Sequence, residues 1–148
     1  MNRLALPAAG AAALTVLMSV PAFAAPPAAT ETVTSCGSPG LQAGLTTRVC
    51  ADVTGTTVEF YGKVGLAGPP SPGSPAPSPR QLFTTLSAEV VGSSPVTQER
   101  PVIFASSTLE VSGPVSAAPC GSTVRATFGV ASFPWAAKPV VHEVTITC

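Results

Sequence analysis

The sequence predicts an all-β protein, an antiparallel β-sandwich stapled by two disulfides. Apolar residues alternate with polar ones along several short segments rich in valine and threonine, which is typical of half-buried strands. Turn residues separate these segments, and no stretch after residue 24 keeps a helical period. The four cysteines are the third observation, because an even number in a small exported domain indicates a disulfide framework.

The first 24 residues have the order of a cleaved secretory signal. Met1-Asn2-Arg3 supplies a positive start, and residues 4–20 are uncharged and mostly apolar. Pro21 then precedes Ala22-Phe23-Ala24, which offers small residues at the two positions that a signal peptidase recognises. A retained membrane anchor is the alternative, but the stretch reaches the roughly 20 apolar residues of a spanning helix only across a proline and a glycine. We therefore expect cleavage after residue 24, a secreted or cell-wall-associated protein, and no later membrane span.

The exported part, residues 25–148, is nearly neutral. The chain has seven lysines and arginines, of which Arg3 lies in the signal, and seven aspartates and glutamates, so six positive charges oppose seven negative ones. Nucleic-acid binding requires a basic stripe that releases counterions from phosphate, and none is present. The same balance disfavours anionic membrane surfaces as partners. The length suits one domain that can bury a core.

Two segments stand out from the predicted strands by composition. Residues 25–45 are rich in proline, alanine and glycine, and we expect a loose N-terminal segment ahead of a single β domain at 46–148. Residues 68–79 contain six prolines in twelve positions, which favours polyproline II and cannot pack a core. Because they lie between two predicted strands, we expect a projecting proline-rich loop. It is open whether this loop is a solvated connection, a stalk glycosylated on its serines or a proline-rich docking site.

Period-two alternation predicts each strand in turn. The predicted strands are residues 49–53, 58–66, 82–90, 102–111 (one long strand or two short ones), 124–130 and 140–146. This pattern favours an immunoglobulin-like antiparallel sandwich of about six or seven strands, with a small β-barrel as the alternative. The Cys…Trp…Cys pattern of antibody domains is absent, so the prediction concerns architecture alone.

The last two predicted strands also predict the disulfides. If they form a hairpin centred on Pro134, the even-numbered apolar residues of both strands share one face. That register places Cys120 opposite Cys148, within the reach of a disulfide. Cys36 and Cys50 then pair by elimination. Zinc binding is the alternative for four cysteines, but C-x2-C pairs are absent and the chain has a single histidine.

The sequence contains no recognisable catalytic motif. His142 is the only histidine, and its strand neighbour Glu143 points to the opposite face, so a Ser-His-acid triad would lack its oriented imidazole. The acidic residues are scattered singly, and the phosphate-loop, calcium-loop and G-x-S-x-G motifs are absent. We expect a neutral His142 packed at the edge of the core. We predict a protein that is not an enzyme, with no cofactor and no metal.

Phe133-Pro134-Trp135 is the predicted contact surface. Large aromatic residues at a hairpin tip stiffened by proline are typical of a binding anchor. Alternatively, Phe133 and Trp135 fold over the end of the sandwich and cap its core. We favour the cap, because Trp135 is the only tryptophan and the core is otherwise short of aromatic residues.

Taken together, these features predict a small secreted, non-catalytic binding or structural module of the extracellular space or cell envelope. The expected partner is an extracellular protein or an envelope component. A secreted proteinaceous inhibitor of a hydrolase is the alternative, because a rigid protruding loop on a disulfide-stapled β domain suits that role. The oligomeric state is open.

Overall fold

The computed structural model describes residues 31–148, so the predicted signal peptide and residues 25–30 lie outside the described residues. All regular structure in this range is antiparallel strand, which confirms the all-β prediction. Both predicted disulfides are present. The strands are β1 (Thr32–Cys36), β2 (Gly40–Gln42), β3 (Leu45–Thr54), β4 (Thr57–Leu66), β5 (Arg80–Val90), β6 (Val96–Phe104), β7 (Thr108–Ala117), β8 (Thr123–Ala131) and β9 (Val140–Thr145).

The nine strands of residues 31–148 form two sheets packed face to face. The first sheet has the order β1-β3-β4-β7, with β2 also paired to β3, and the second has the order β6-β5-β8-β9. Four hairpins join β2 to β3, β3 to β4, β5 to β6 and β8 to β9, while the chain passes between the sheets after β4, β6 and β7. The predicted count of about six or seven strands was too low. The range 102–111 divides into β6 and β7 around a tight turn, and β1 and β2 were not expected.

The prediction of a loose segment at residues 25–45 is wrong for β1 and β2. β1 pairs with β3 so that Cys36 lies directly opposite Cys50, with their Cα atoms 4.0 Å apart. β2 pairs with β3 through the turn of Ala43 and Gly44, which both have positive φ. The sequence signal was weak because β1 is an edge strand with mostly exposed side chains. Backbone pairing and a disulfide hold it, whereas sequence periodicity reports hydrophobic burial.

The core lies between the two sheets and takes side chains from both. Phe60 of β4 and Phe128 of β8 are its large central residues, and both are fully buried. Gly62 faces the second sheet, and a Cβ atom at this position would overlap the ring of Phe128. The glycine therefore permits the phenylalanine ring to lie against the backbone of β4. The buried apolar cluster comprises Leu45, Val49, Ala51, Val58, Phe60, Val64, Leu82, Leu86, Ala88, Phe104, Val111, Ala118, Val124, Ala126, Phe128, Val130 and Ile146.

The predicted register of the last hairpin is confirmed. Ala126 lies opposite His142, as a hairpin centred on Pro134 requires. Beyond the paired strands, Cys120 and Cys148 form a disulfide with their Cα atoms 5.7 Å apart. The bridge fastens the C-terminal residue to the segment that precedes β8.

Gly62 tests how tightly the sheets pack. Gly62→Ala should lower the free energy of unfolding by about 1–3 kcal/mol, because the added methyl group overpacks the contact with Phe128. Gly65→Ala is the matched control in the same strand, since its Cβ would lie 3.7 Å from the nearest atom, the Ser107 carbonyl oxygen. Denaturant unfolding of both variants measures the difference. Equal stability would contradict the close approach at Gly62.

Candidate functional site

The two longest connections between strands lie at one end of the sandwich, here termed the loop end. It carries residues 43–44, 67–79, 105–107 and 132–139, whereas the opposite end carries the connections 55–56, 91–95 and 118–122. Two side chains tie the loop end together: the Ser132 hydroxyl donates to the Gln81 carbonyl at 3.1 Å, and Arg80 Nη2 donates to the Ala43 carbonyl at 2.9 Å. Loops held by a rigid scaffold are where binding residues concentrate. The loop end is therefore the candidate site.

Gln42 holds the loop end from inside the protein. Its side chain is only 1% exposed, and its Nε2 donates to Thr47 Oγ1 at 2.7 Å and to the Phe128 carbonyl at 3.0 Å. Its Oε1 accepts from the Val130 amide at 2.8 Å and the Lys138 amide at 3.1 Å. Two donors and two acceptor sites are the full capacity of a side-chain amide. Gln42 thus joins the first sheet to β8 and to the 132–139 connection.

The aromatic tip protrudes from the loop end. Ser132 and Trp135 exchange backbone hydrogen bonds of 3.1 and 2.6 Å, which close a tight turn around Phe133 and a cis-Pro134. Phe133 is 92% exposed and Trp135 is 57% exposed, so the interpretation of the tip as a core cap is wrong. The cap is unnecessary because Phe104, at the loop end of β6, is already buried and closes the core there.

Exposed apolar side chains also lie on the outer face of the second sheet, in the halves of β5 and β6 that are nearer the loop end. Phe83 lies opposite Ala131, two residues before Phe133, and opposite Pro101 on its other side. Contiguous exposed apolar area rimmed by polar residues marks interaction sites on monomeric proteins. We term this set the aromatic surface; its members are Phe83, Pro101, Ile103, Phe133 and Trp135. Sequence reasoning missed Phe83, although its position out of phase with the buried residues of its strand was a usable signal.

The proline-rich segment forms the longest connection at the loop end. Residues 67–79 join β4 to β5 without regular strand structure, and every side chain in them except that of Pro77 is exposed. A single backbone hydrogen bond, from the Ser74 amide to the Ser71 carbonyl at 3.0 Å, marks a turn within the segment. The segment therefore projects from the loop end and contributes little to the core.

His142 contacts a residue that sequence reasoning had placed in a loose segment. Its Nε2 lies 2.8 Å from Ser35 Oγ, so this hydrogen bond joins β9 of the second sheet to β1 of the first. Burial lowers the pKa of His142, because the imidazolium is poorly solvated at this edge. A Ser-His-acid triad also needs a carboxylate that orients the histidine. Within residues 31–148 no carboxylate is hydrogen-bonded to the imidazole of His142, so Ser35 and His142 do not form such a triad. The two residues tie the edges of the sheets together.

Residues 31–148 contain neither a cluster of metal ligands nor a helix suited to a membrane. No group of three or more His, Cys, Asp or Glu residues in 31–148 is arranged to hold a metal ion. Within those residues no helix is both long and apolar enough to cross a membrane. No protein-family model, curated protein or solved structure matched the chain.

Gln42→Leu should lower the free energy of unfolding by roughly 2–4 kcal/mol, because it leaves buried backbone groups of Phe128 and Val130 without partners. The Lys138 amide should also exchange its hydrogen faster. Gln81→Leu is the matched control, since its exposed side chain makes no hydrogen bond within the described residues. Denaturant unfolding and hydrogen exchange measure both effects. Equal losses in the two variants would contradict a central role for the Gln42 amide.

The lowered pKa of His142 predicts a stability that depends on pH. The unfolded histidine, with its ordinary pKa of about 6.5, binds a proton more tightly than the folded one. The free energy of unfolding should therefore fall as the pH drops below about 6.5, until it levels off below the folded pKa. Because His142 is the only histidine, His142→Gln should flatten this slope between about pH 7.5 and 5.5. Thermal unfolding at several pH values measures it, and identical slopes would refute the assignment.

Proposed function

We propose that this protein is a secreted, non-catalytic binding module of the extracellular space or cell envelope, and that the aromatic surface contacts its partner. The observation that carries the proposal is the exposure of Phe133 and Trp135 on a turn closed by two backbone hydrogen bonds. Buried aromatic anchors dominate the energy of most interfaces. Fully burying a side chain such as Phe133 contributes about 1.5–3 kcal/mol.

Rigidity supports the choice of this surface. A side chain that is already held in place loses little entropy on binding, so more of its burial energy becomes affinity. Gln42 fixes both the strand that enters the tip, through Val130, and the connection that leaves it, through Lys138. The backbone of the tip is therefore preorganised both by its own two hydrogen bonds and by a buried polar network.

Connectivity supports an immunoglobulin-like sandwich as the finer description of the fold. If β3, β4, β5, β6, β7, β8 and β9 are taken as strands A, B, C, C′, E, F and G, the pairs β4–β7 and β5–β8 correspond to B–E and C–F. Residues 67–79 and 132–139 then correspond to the B–C and F–G loops, which lie at the antigen-binding end of antibody variable domains. Strand D has no counterpart, because only residues 105–107 separate β6 from β7. The likeness concerns architecture and supports the loop end as the place of contact.

The predicted location outside the cytoplasm agrees with the proposal. A predicted secretory signal precedes the domain, and two disulfides suit an oxidising environment outside the cytoplasm. The partner class that we propose is an envelope component, with an extracellular protein as the other member of the same proposal. Both would meet the exported domain after cleavage of the signal.

The tip decides the proposal in a sedimentation experiment. The purified mature protein should pellet with isolated cell-wall material, and Phe133→Ser combined with Trp135→Ser should reduce pelleting at least tenfold, the effect of losing about 1.4 kcal/mol of binding energy. Stability should change by no more than about 0.5 kcal/mol, because exposed side chains bury little area on folding. Val91→Ser combined with Val96→Ser is the matched control, since both valines are exposed at the opposite end. Unchanged pelleting of the tip variant would refute the proposal.

A secreted inhibitor of a hydrolase is the second proposal, favoured by the extreme exposure of Phe133 on a closed turn. Such a turn can enter a cleft in a preorganised conformation. In a mixing assay an inhibitor lowers the rate of a secreted hydrolase in proportion to its concentration, and Phe133→Ser relieves the inhibition. An envelope module leaves those rates unchanged and pellets with the wall.

A further inference from the structure

On β3 and β4 the outer face of the first sheet carries its charges in two rows of like sign, and Glu110 of β7 lies opposite Lys63 at the end of the basic row. Arg48 lies directly opposite Lys63 across β3 and β4, and Asp52 lies directly opposite Glu59. Like charges in directly opposed positions destabilise a sheet, whereas opposite charges stabilise it. The two pairs between β3 and β4 are therefore unfavourable, and Lys63 alone has an opposite charge, Glu110, directly across from it on its other side.

The contacts within the face leave the rows largely uncompensated. Lys63 Nζ lies 4.0 Å from Glu110 Oε2, and both side chains are more than half exposed, so this pair is weak. Arg48 forms no ion pair within residues 31–148. Asp52 Oδ1 accepts hydrogen bonds from Thr34 at 2.6 Å and Tyr61 at 3.4 Å, which orient the carboxylate without neutralising its charge.

The two rows are arranged symmetrically about a line across the strands. That line runs through Cys50 and Tyr61, which are directly opposed. The basic row lies two residues to one side of the line on both strands, and the acidic row lies two residues to the other side. A rotation of 180° about the line therefore exchanges the rows.

We propose that a second copy of this chain docks on this face, related by a two-fold axis along that line. The rotation turns the two outer faces towards each other and reverses the strand direction, which is the self-complementary arrangement of a two-fold interface. Arg48 of each copy then faces Asp52 of the other copy, and Lys63 faces Glu59. Each like-charge pair within a copy becomes a pair of opposite charges between copies.

A groove in the same face is placed to receive a turn of the second copy. It encloses about 710 Å³ beside the basic row, with Gly65 in its floor and Pro69 and Pro70 among its lining residues. Gly65 lies opposite Thr46, four residues from the axis, and the turn between Thr54 and Thr57 begins four residues from the axis on the other side. The rotation therefore brings that turn of the second copy over Gly65 and into the groove.

The size of the face predicts a weak dimer. Three strands of ten residues, with the shorter β1 and β2 side by side along the free edge of β3, present roughly 19 Å by 33 Å, or about 600 Å² for each copy, at the lower limit of specific interfaces. The reversed strand direction points the two loop ends away from each other. If the proposed function holds, the dimer thus carries two outward binding ends and can bridge two partners. This last consequence rests on the proposed function, whereas dimerisation is measured without any partner.

Analytical ultracentrifugation tests the dimer on the mature protein. At low ionic strength, where the Debye length is about 30 Å at 0.01 M salt, the mass should double as concentration rises. At about 1 M salt, where the Debye length is about 3 Å, the protein should sediment as a monomer. A monomer at low salt and the highest soluble concentration would overturn the proposal, as would a dimer that is insensitive to salt.

Charge reversal identifies the face. The acidic variant carries Arg48→Glu and Lys63→Glu, and the basic variant carries Asp52→Lys and Glu59→Lys. Each should be monomeric alone, and an equimolar mixture should form a heterodimer, because every row of one variant then faces a row of opposite sign. Self-association of either variant, or no association in the mixture, would refute the arrangement.

Two further variants keep the test decisive if a charge-reversed chain unfolds. Gly65→Gln adds no charge and has no atom within 3.7 Å of its new Cβ, so it should fold, fill the groove and abolish the dimer. Glu99→Lys alters an exposed charge on the outer face of the second sheet and should leave the dimer intact. A Gly65→Gln dimer as strong as that of the original chain, or loss of the dimer in Glu99→Lys, would refute the proposal.

Discussion

The buried amide of Gln42 is the interaction on which the arrangement of the loop end depends. Its four hydrogen bonds join a short strand of the first sheet to the backbone of β8 and to the connection that follows it. In a low-dielectric interior such a network is strong when complete and costly when any member is missing. It therefore specifies one position for the tip, where an apolar residue would leave the backbone groups of the neighbouring sheet unpaired. This amide therefore helps to hold the turn that carries the exposed aromatic residues.

The two disulfides fasten the scaffold at places away from the loop end. Cys36–Cys50 fastens an edge strand that has few buried side chains, and Cys120–Cys148 fastens the C-terminus away from the loop end. One end of the sandwich is thus closed by tight turns and a covalent bridge, while the other carries the long connections. A scaffold of this kind allows large exposed side chains at the loops, because the core does not depend on them. Phe133 can therefore stay exposed at the loop end, because the core does not need its side chain.

The proposed partner surface and the proposed dimer face use different parts of the same sandwich. The aromatic surface occupies the second sheet and the tip, where apolar area drives association. The charged face occupies the first sheet, where the opposed charges of two copies provide specificity and sensitivity to salt. Because the two regions do not overlap, both contacts can form at once. Because residues 25–148 carry few charges, the four residues of the two rows are a large share of them.

The sequence located only the end of β6 and the start of β7, within the range 102–111. By itself it determined β3, β4, β5, β8 and β9, the register of the last hairpin and both disulfides. Those features follow from local alternation and from covalent pairing, which a linear pattern records. Only the tertiary structure decided that residues 32–42 join the first sheet, that Gln42 and Ser35 contact residues about 90 or more positions away, and that the tip stays exposed. Each of these depends on a partner supplied by the other sheet or by a distant strand. Edge strands and buried amides leave no periodic trace, because their stability comes from hydrogen bonds between segments far apart in the chain.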